Sequence, residues 1–454
     1  MFIVIKGFEF NASINAQMEG VSDLPLVVFP LSAIPLQKEF EELKLGEKVT
    51  DDVIEALTQR SSHIADTEEI VEEYMVFSGS DYTEALRNMD KHFLQHCWSD
   101  GFPLVPPTEE AVNEMLEGTV LPRDYVVGLV EPMGGKATIE KIAINAVMAG
   151  CLPQYMPVII AAVEAITDPL FDLRGVQCTA GAVSPLLILS GQELIKQLNV
   201  NDSFSTIGPG WRANATIGRA IRLIMINLGH TWPGKPDMKA VGNPMKYITL
   251  MAENEAGYRG AWEPIRVAEG FRYDQPTISV MPAVSWQPLS IHPDMATTDK
   301  VVDAIGEQGR MKYDRLATCW GMDNLVIISP TAFDVFYKEQ RSRNDIQKAL
   351  YEVIQSPCFE FYRDTEPTVE RGPKPIPESI VAKSKADRTA LVPLLLKPKS
   401  IKICVAGGSG PGFCAFVATW GFGPAHFVTK AISLPPNWEN LLEKHSGWET
   451  PIVK

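Results

Sequence analysis

From residue 125 onward the chain alternates short apolar runs of strand length with longer stretches whose apolar residues recur three and four apart. No other feature limits the possible folds as much. YVVGLVEP (125–132), SPLLILSG (184–191), KYITLMAENE (246–255), TISVMPAV (277–284), NLVIIS (324–329) and IKICV (401–405) read as strands. TIEKIAINAVMAG (138–150), MPVIIAAVEAIT (156–167), NATIGRAIRLIMINLG (214–229), TDKVVDAIGEQG (298–309), AFDVFYKEQ (332–340) and NDIQKALYEVIQ (344–355) read as helices. Alternation of this kind implies an α/β architecture with mixed or mostly parallel sheets flanked by helices. We expect two α/β lobes: a central domain over 98–295 and a C-terminal domain over 296–454 that carries a glycine-rich loop. Residues 1–97 read as an arm, with strand-like MFIVIKGFEF and LPLVVFPL followed by helical YTEALRNMDKHFLQHCW. The prolines of SDGFPLVPPT make an extended connection, and Thr108 is placed to cap the helix that follows. RGPKPIPES (371–379) reads as a linker.

Composition excludes several classes of function. The 454 residues carry a net charge of −15, and no Lys/Arg-rich tract offers a surface for a phosphate backbone, so nucleic acid is not an expected partner. Lys6 and Glu9 interrupt the first apolar stretch, which argues for a strand and against a secretory signal. No apolar run approaches the ~20 residues needed to cross a bilayer. The seven cysteines are odd in number and widely scattered, which implies reduced thiols. The expected location is therefore the cytosol. With no Cys-x-x-Cys and no His-Glu-x-x-His, no metal centre is expected.

Four segments carry candidate chemistry. In VAGGSGPGFC (405–414), Phe413 stands where a dinucleotide fingerprint needs its last glycine and where a phosphate-binding loop needs lysine. Both motifs fail, and no cofactor is named. Gly408, Gly410 and Gly412 remain able to point backbone N–H groups at an anion, while the competing reading is a tight turn without ligand. With the following segment read as a helix, Cys414 would lie in its first turn, where the dipole activates a thiol; Cys404 reads as a core residue. In GPGWRANATIGRAIRLIMINLG, Arg212 and Asn214 stand at a Gly/Pro-punctuated helix start suited to an anionic substrate group, with Asn214 equally suited to cap the helix. Arg219 and Arg222 read as a solvated or ion-paired face.

KYITLMAENE ends in Glu253, Asn254 and Glu255, and strand ends are where α/β folds build their sites. Strand alternation would put Glu253 and Glu255 on one face, so that one serves as acid and the other as base, with Asn254 available to substrate. The competing arrangement is a solvated end with one carboxylate paired to Arg259 or Arg266. Cys151 follows a helix, where the dipole disfavours its thiolate. Cys178, in the small-residue stretch GVQCTAGAVSP, is a further thiol candidate.

Taken together, DGFPLVPPT, the run 138–166, GPGWRANATIGRAIRLIMINLG, AENE with the later WEP, and VAGGSGPGFCAF resemble a large group of bacterial proteins associated with small partners bearing a Sec-Gly-Ser-Cys (UGSC) motif. The resemblance spans most of 98–430. It implies an enzyme or enzyme subunit, names no reaction, and suggests a small redox or selenoprotein-like partner. This chain has no Cys-Gly-Ser-Cys of its own. The residues allow two readings. One is an enzyme for a small anionic or carbonyl-containing metabolite, using acid/base or thiol-assisted lyase or hydrolase chemistry; the other is a noncatalytic scaffold or binding subunit of a redox-protein complex. Either could act as a homo-oligomer.

Overall fold

The computed structural model describes residues 74–247, 250–291, 297–310, 323–357, 397–420 and 425–448, with shorter pieces between 2 and 54 and between 362 and 395, and residue 450. The fold is α/β, built on one mixed sheet of seven strands. These are β1 (Ser184–Ser190), β2 (Leu250–Ala252), β3 (Thr277–Ser290), β4 (Asn324–Ile328), β5 (Ile401–Val405), β6 (Phe413–Thr419) and β7 (Val428–Ala431). Their order is β5-β4-β6-β3-β1-β2, with β7 also paired to β3. The β4–β5 and β1–β2 pairs are parallel, whereas β3 and β6 pair antiparallel with all their neighbours. Strands from both sides of residue 295 thus share a single sheet. In the arm, Phe2–Ile5 pairs parallel with Leu26–Phe29, in keeping with the strands expected there, and Tyr82–Gln95 forms helix α1. The segment 371–379 lies outside the described residues.

Alternation along each strand decides what its two faces bury. On one face, Leu186, Ile188, Met251, Met281, Ile327, Cys404 and Val417 join a single apolar cluster. This cluster draws on six strands and fills the hollow of the curled sheet. The residues between them point outward into two other cores. Leu187, Leu189, Leu250 and Val280 pack with α2 (Ile139–Ala149), α3 (Met156–Ile166) and α4 (Arg212–Asn227). Val326, Ile328, Ile403, Val405 and Phe416 pack with α5 (Thr298–Arg310), α6 (Pro330–Lys338) and α7 (Arg343–Val353). Because both faces are covered, the strands read as continuous apolar runs, and each fully buried Leu, Ile or Phe contributes about 1.5–3 kcal/mol.

The curl brings the two edge strands together at their carboxyl ends. The backbone N–H of Asn254, just past β2, donates to the carbonyl of Val405, the last residue of β5, at 2.8 Å. The Asn254 side chain donates to the Gly407 carbonyl at 2.9 Å. Farther along, Lys402 pairs with Glu269 at 2.8 Å, and Ile265 adds its side chain to the inner cluster. The segment 253–269 therefore fills the gap between the edges.

The glycine-rich loop makes a tight turn between two strands of the sheet. It leads into strand β6, not a helix. β4 lies between β5 and β6, so residues 406–412 cross over the end of β4. Ala406 donates to Ile328 at 3.1 Å, Ser329 donates to Phe413 at 2.9 Å, and the Phe413 N–H donates to Ser329 Oγ at 3.1 Å. Gly407 has a left-handed φ of 85°. A Cβ on Gly412 would overlap the carbonyl oxygen of Ile291, whereas one on Gly410 would meet only the Phe204 ring, at 3.3 Å. Gly412→Ala should therefore lower stability by about 1–3 kcal/mol in urea unfolding, with Gly410→Ala close to wild type. Equal effects at both positions would show that the crossing is not close-packed.

Candidate functional site

The carboxyl ends of β1, β2 and β5 gather the polar residues that stand out from the otherwise apolar interior. Ser190 ends β1 with the same inward parity as Leu186 and Ile188, and Glu253 continues the inward parity of Met251. Glu253 has no solvent-exposed surface. Its carboxylate accepts from Ser190 Oγ, from Tyr258 Oη at 2.5 Å and from the Ile265 backbone N–H at 2.7 Å. Tyr258 Oη in turn accepts from the Val405 N–H at 3.0 Å, which ties the carboxylate to the opposite edge strand.

Glu255 sits beside this group in the short helical turn Glu255–Tyr258. It accepts from the Gly191 N–H at 2.8 Å and forms a two-pronged ion pair with Arg266, whose Nη2 lies 3.1 Å from Oε2. The buried Arg266 also donates from Nη1 to Ser190 Oγ at 3.0 Å and from Nη2 to the Tyr273 carbonyl at 2.8 Å. Ser190 thus accepts from a guanidinium and donates to a carboxylate. Burial pushes the Glu253 carboxyl above its ordinary range, and the donors from Ser190, Tyr258 and Ile265 oppose that shift without cancelling it.

The sequence candidates are only partly brought together. Glu253, Asn254 and Glu255 converge, though not by strand alternation. β2 stops at Ala252, and Glu255 reaches the cluster by way of a helical turn capped by Asn254, whose Oδ1 accepts from Gly257 at 3.0 Å. Of the two arginines expected as ion-pair partners, Arg266 holds Glu255 and Arg259 pairs instead with Asp334. Gly408 lies in the same region, its Cα hydrogens covered by the Phe204 ring, and Gly410 and Gly412 continue the crossing loop.

Asn214 is not the helix cap, because α4 begins at Arg212 with Trp211 as its cap. The buried Asn214 side chain instead shapes the 201–206 turn. It accepts from Asn201 N at 2.8 Å and donates to the Thr206 carbonyl at 3.0 Å. That turn accepts from Ala252 and Gly407, so Asn214 supports the cluster from one layer away. Arg212 is turned elsewhere, donating to the Gly150 carbonyl at 2.9 Å with its guanidinium over Trp448. Arg219 is ion-paired to Asp100, whereas Arg222 is half-buried, donating to the Lys246 carbonyl and to Ser184 Oγ, both at 3.2 Å, and desolvation lowers its guanidinium to about 10.

Neither thiol candidate is activated. Cys414 lies in strand β6 and not at a helix start, so no dipole activates it, and burial pushes it up to about 12. Cys178 ends the short helix Leu173–Cys178 and is also raised to about 12 by burial. Ser190, Tyr258 and Arg266 were not assigned chemistry from the sequence. The position of Ser190 at the end of a strand was the available signal, since ligand sites gather at carboxyl ends.

No family model matches the chain, and a comparison with curated proteins found no match.

The raised Glu253 carboxyl makes stability depend on pH. In the unfolded chain it titrates near 4.5, and in the fold it holds its proton to higher pH. Its contribution is therefore fully present below 4.5 and is lost as pH rises through the folded value. The stability advantage of wild type over Glu253→Gln, taken from urea unfolding at a series of pH values, should shrink as pH rises above 4.5. A constant difference would contradict the assignment.

Proposed function

We propose that the chain is an enzyme, or a subunit of one, that acts on a small anionic or carbonyl-containing metabolite by acid/base chemistry of the lyase or hydrolase type, with Glu253 giving or taking the proton. The observation that carries this reading is the Glu253 carboxylate itself. It is buried where the carboxyl ends of two parallel strand pairs meet, held above its ordinary range, and hydrogen-bonded to two hydroxyls, Ser190 and Tyr258, that can pass a proton. Glu255 is matched by Arg266, so the two carboxylates occupy different electrostatic settings, as a division of acid and base duties requires. Asn254 and the glycine crossing border the same end and are the groups to contact substrate. The odd number and wide scatter of the seven cysteines along the sequence support a cytosolic setting. Thiol assistance from Cys414 or Cys178 finds no support, because neither thiolate is favoured.

A noncatalytic scaffold is favoured by one specific observation. The Glu253 carboxylate is fully engaged by Ser190, Tyr258 and Ile265 in joining the sheet edges, and Arg212 is turned to the Gly150 carbonyl. In that reading the resemblance to the UGSC-associated group suggests the partner, a small redox protein.

A thermal-shift screen against metabolite extract identifies a ligand without a prior guess of reaction, because binding raises stability by mass action. With that ligand as substrate, Glu253→Gln should retain the thermal shift while turnover falls by roughly 100-fold or more. A folded Glu253→Gln protein with wild-type turnover would leave the scaffold reading.

A further inference from the structure

The last turn of helix Tyr82–Gln95 carries a pair of side chains that the carboxylate cluster does not use. His92 and His96 are four residues apart and so share one face of the helix. The expectation of no metal centre passes over this His-x-x-x-His spacing. Their rings are stacked, with centroids 3.9 Å apart and 28° between planes. His92 is half-buried, with Phe77 at 5.3 Å and Trp98 at 5.7 Å against its ring. His96 is exposed, and its Nδ1 lies 2.8 Å from the carbonyl oxygen of His92. A carbonyl oxygen can only accept, so Nδ1 carries the proton and Nε2 of the neutral ring keeps its lone pair. Metal-ligating histidines make this same bond through their second nitrogen. His96 is also the C-cap residue, where the negative end of the helix dipole favours a cation.

We propose that His92 and His96 form a two-point chelate for a divalent transition ion that prefers imidazole, namely Cu2+, Ni2+ or Zn2+. With the His96 bond to the carbonyl kept, the His92 ring turns about its side-chain torsions until its lone pair meets the ion held by His96 Nε2, at roughly 2.0–2.1 Å for zinc. Water fills the remaining positions, because among the described residues no group of three or more His, Cys, Asp or Glu side chains could hold a metal.

The test uses the full chain carrying Cys97→Ser, since Cys97 is an exposed thiol that would reduce Cu2+ or bind it. The expected result is one tightly bound Cu2+ per chain with an electron-paramagnetic-resonance signature of two imidazole nitrogens, and Zn2+ binding by calorimetry in the same protein. His96→Ala should remove one nitrogen from the signature and weaken Zn2+ binding by roughly 10- to 100-fold or more, while its melting temperature without metal stays that of the parent. His96→Gln repeats the loss with a polar side chain of similar length. Absence of Zn2+ binding in the parent, or undiminished binding in both folded His96 variants, would overturn the proposal.

Discussion

The rest of the structure depends on how the two edges of the curled sheet are joined. An edge strand leaves a row of N–H and C=O groups without partners, and leaving them buried and unpaired would cost the desolvation of each group. Here the edges meet instead. Asn254 donates to Val405, Val405 donates to Tyr258, and Tyr258 donates to Glu253, so that a backbone bond and a buried side-chain chain run in sequence across the gap. The apolar hollow behind this seam is filled by Ile188, Met251, Met281, Ile327 and Cys404.

This arrangement ties the fold to its candidate chemistry. A carboxylate placed at the seam is taken out of water, and burial alone raises its proton affinity. The burial that comes with holding Glu253 at the seam is therefore also what could make it useful for proton transfer. Arg266 completes the balance by pairing with Glu255 and donating to Ser190, so the buried charges are matched rather than left isolated. One cluster can thus serve architecture and reactivity together, and Glu253→Gln separates the two because it preserves shape while removing titration.

The elements were legible in the sequence; the connections between them were much less so. α2, α3, α4 and the strands β1 and β4 announce themselves through period and composition. The segment FCAFVAT failed because a continuous apolar run has no period to separate a buried strand from a buried helix. Pairing with β3 and β4, far away along the chain, decides the matter. The carboxylate pair was found, but its geometry was inferred from an alternation that ends one residue too early, at Ala252. The seam could not be read at all, because Asn254 and Val405 lie about 150 residues apart and only the curl of the whole sheet makes them neighbours. Arg266 was legible only as a possible partner for a solvated carboxylate, since nothing local to it tells of burial.

Hydrogen exchange at the seam tests this account most directly. Peptides covering 250–258 and 401–407, followed by mass spectrometry in native conditions, report on the amides of Asn254 and Val405. A joined seam predicts that both exchange as slowly as the amides of central strand β3, opening only with global unfolding. Exchange at the rate of a frayed edge strand, with β3 still protected, would show that the edges do not meet and would remove the structural basis for a buried Glu253.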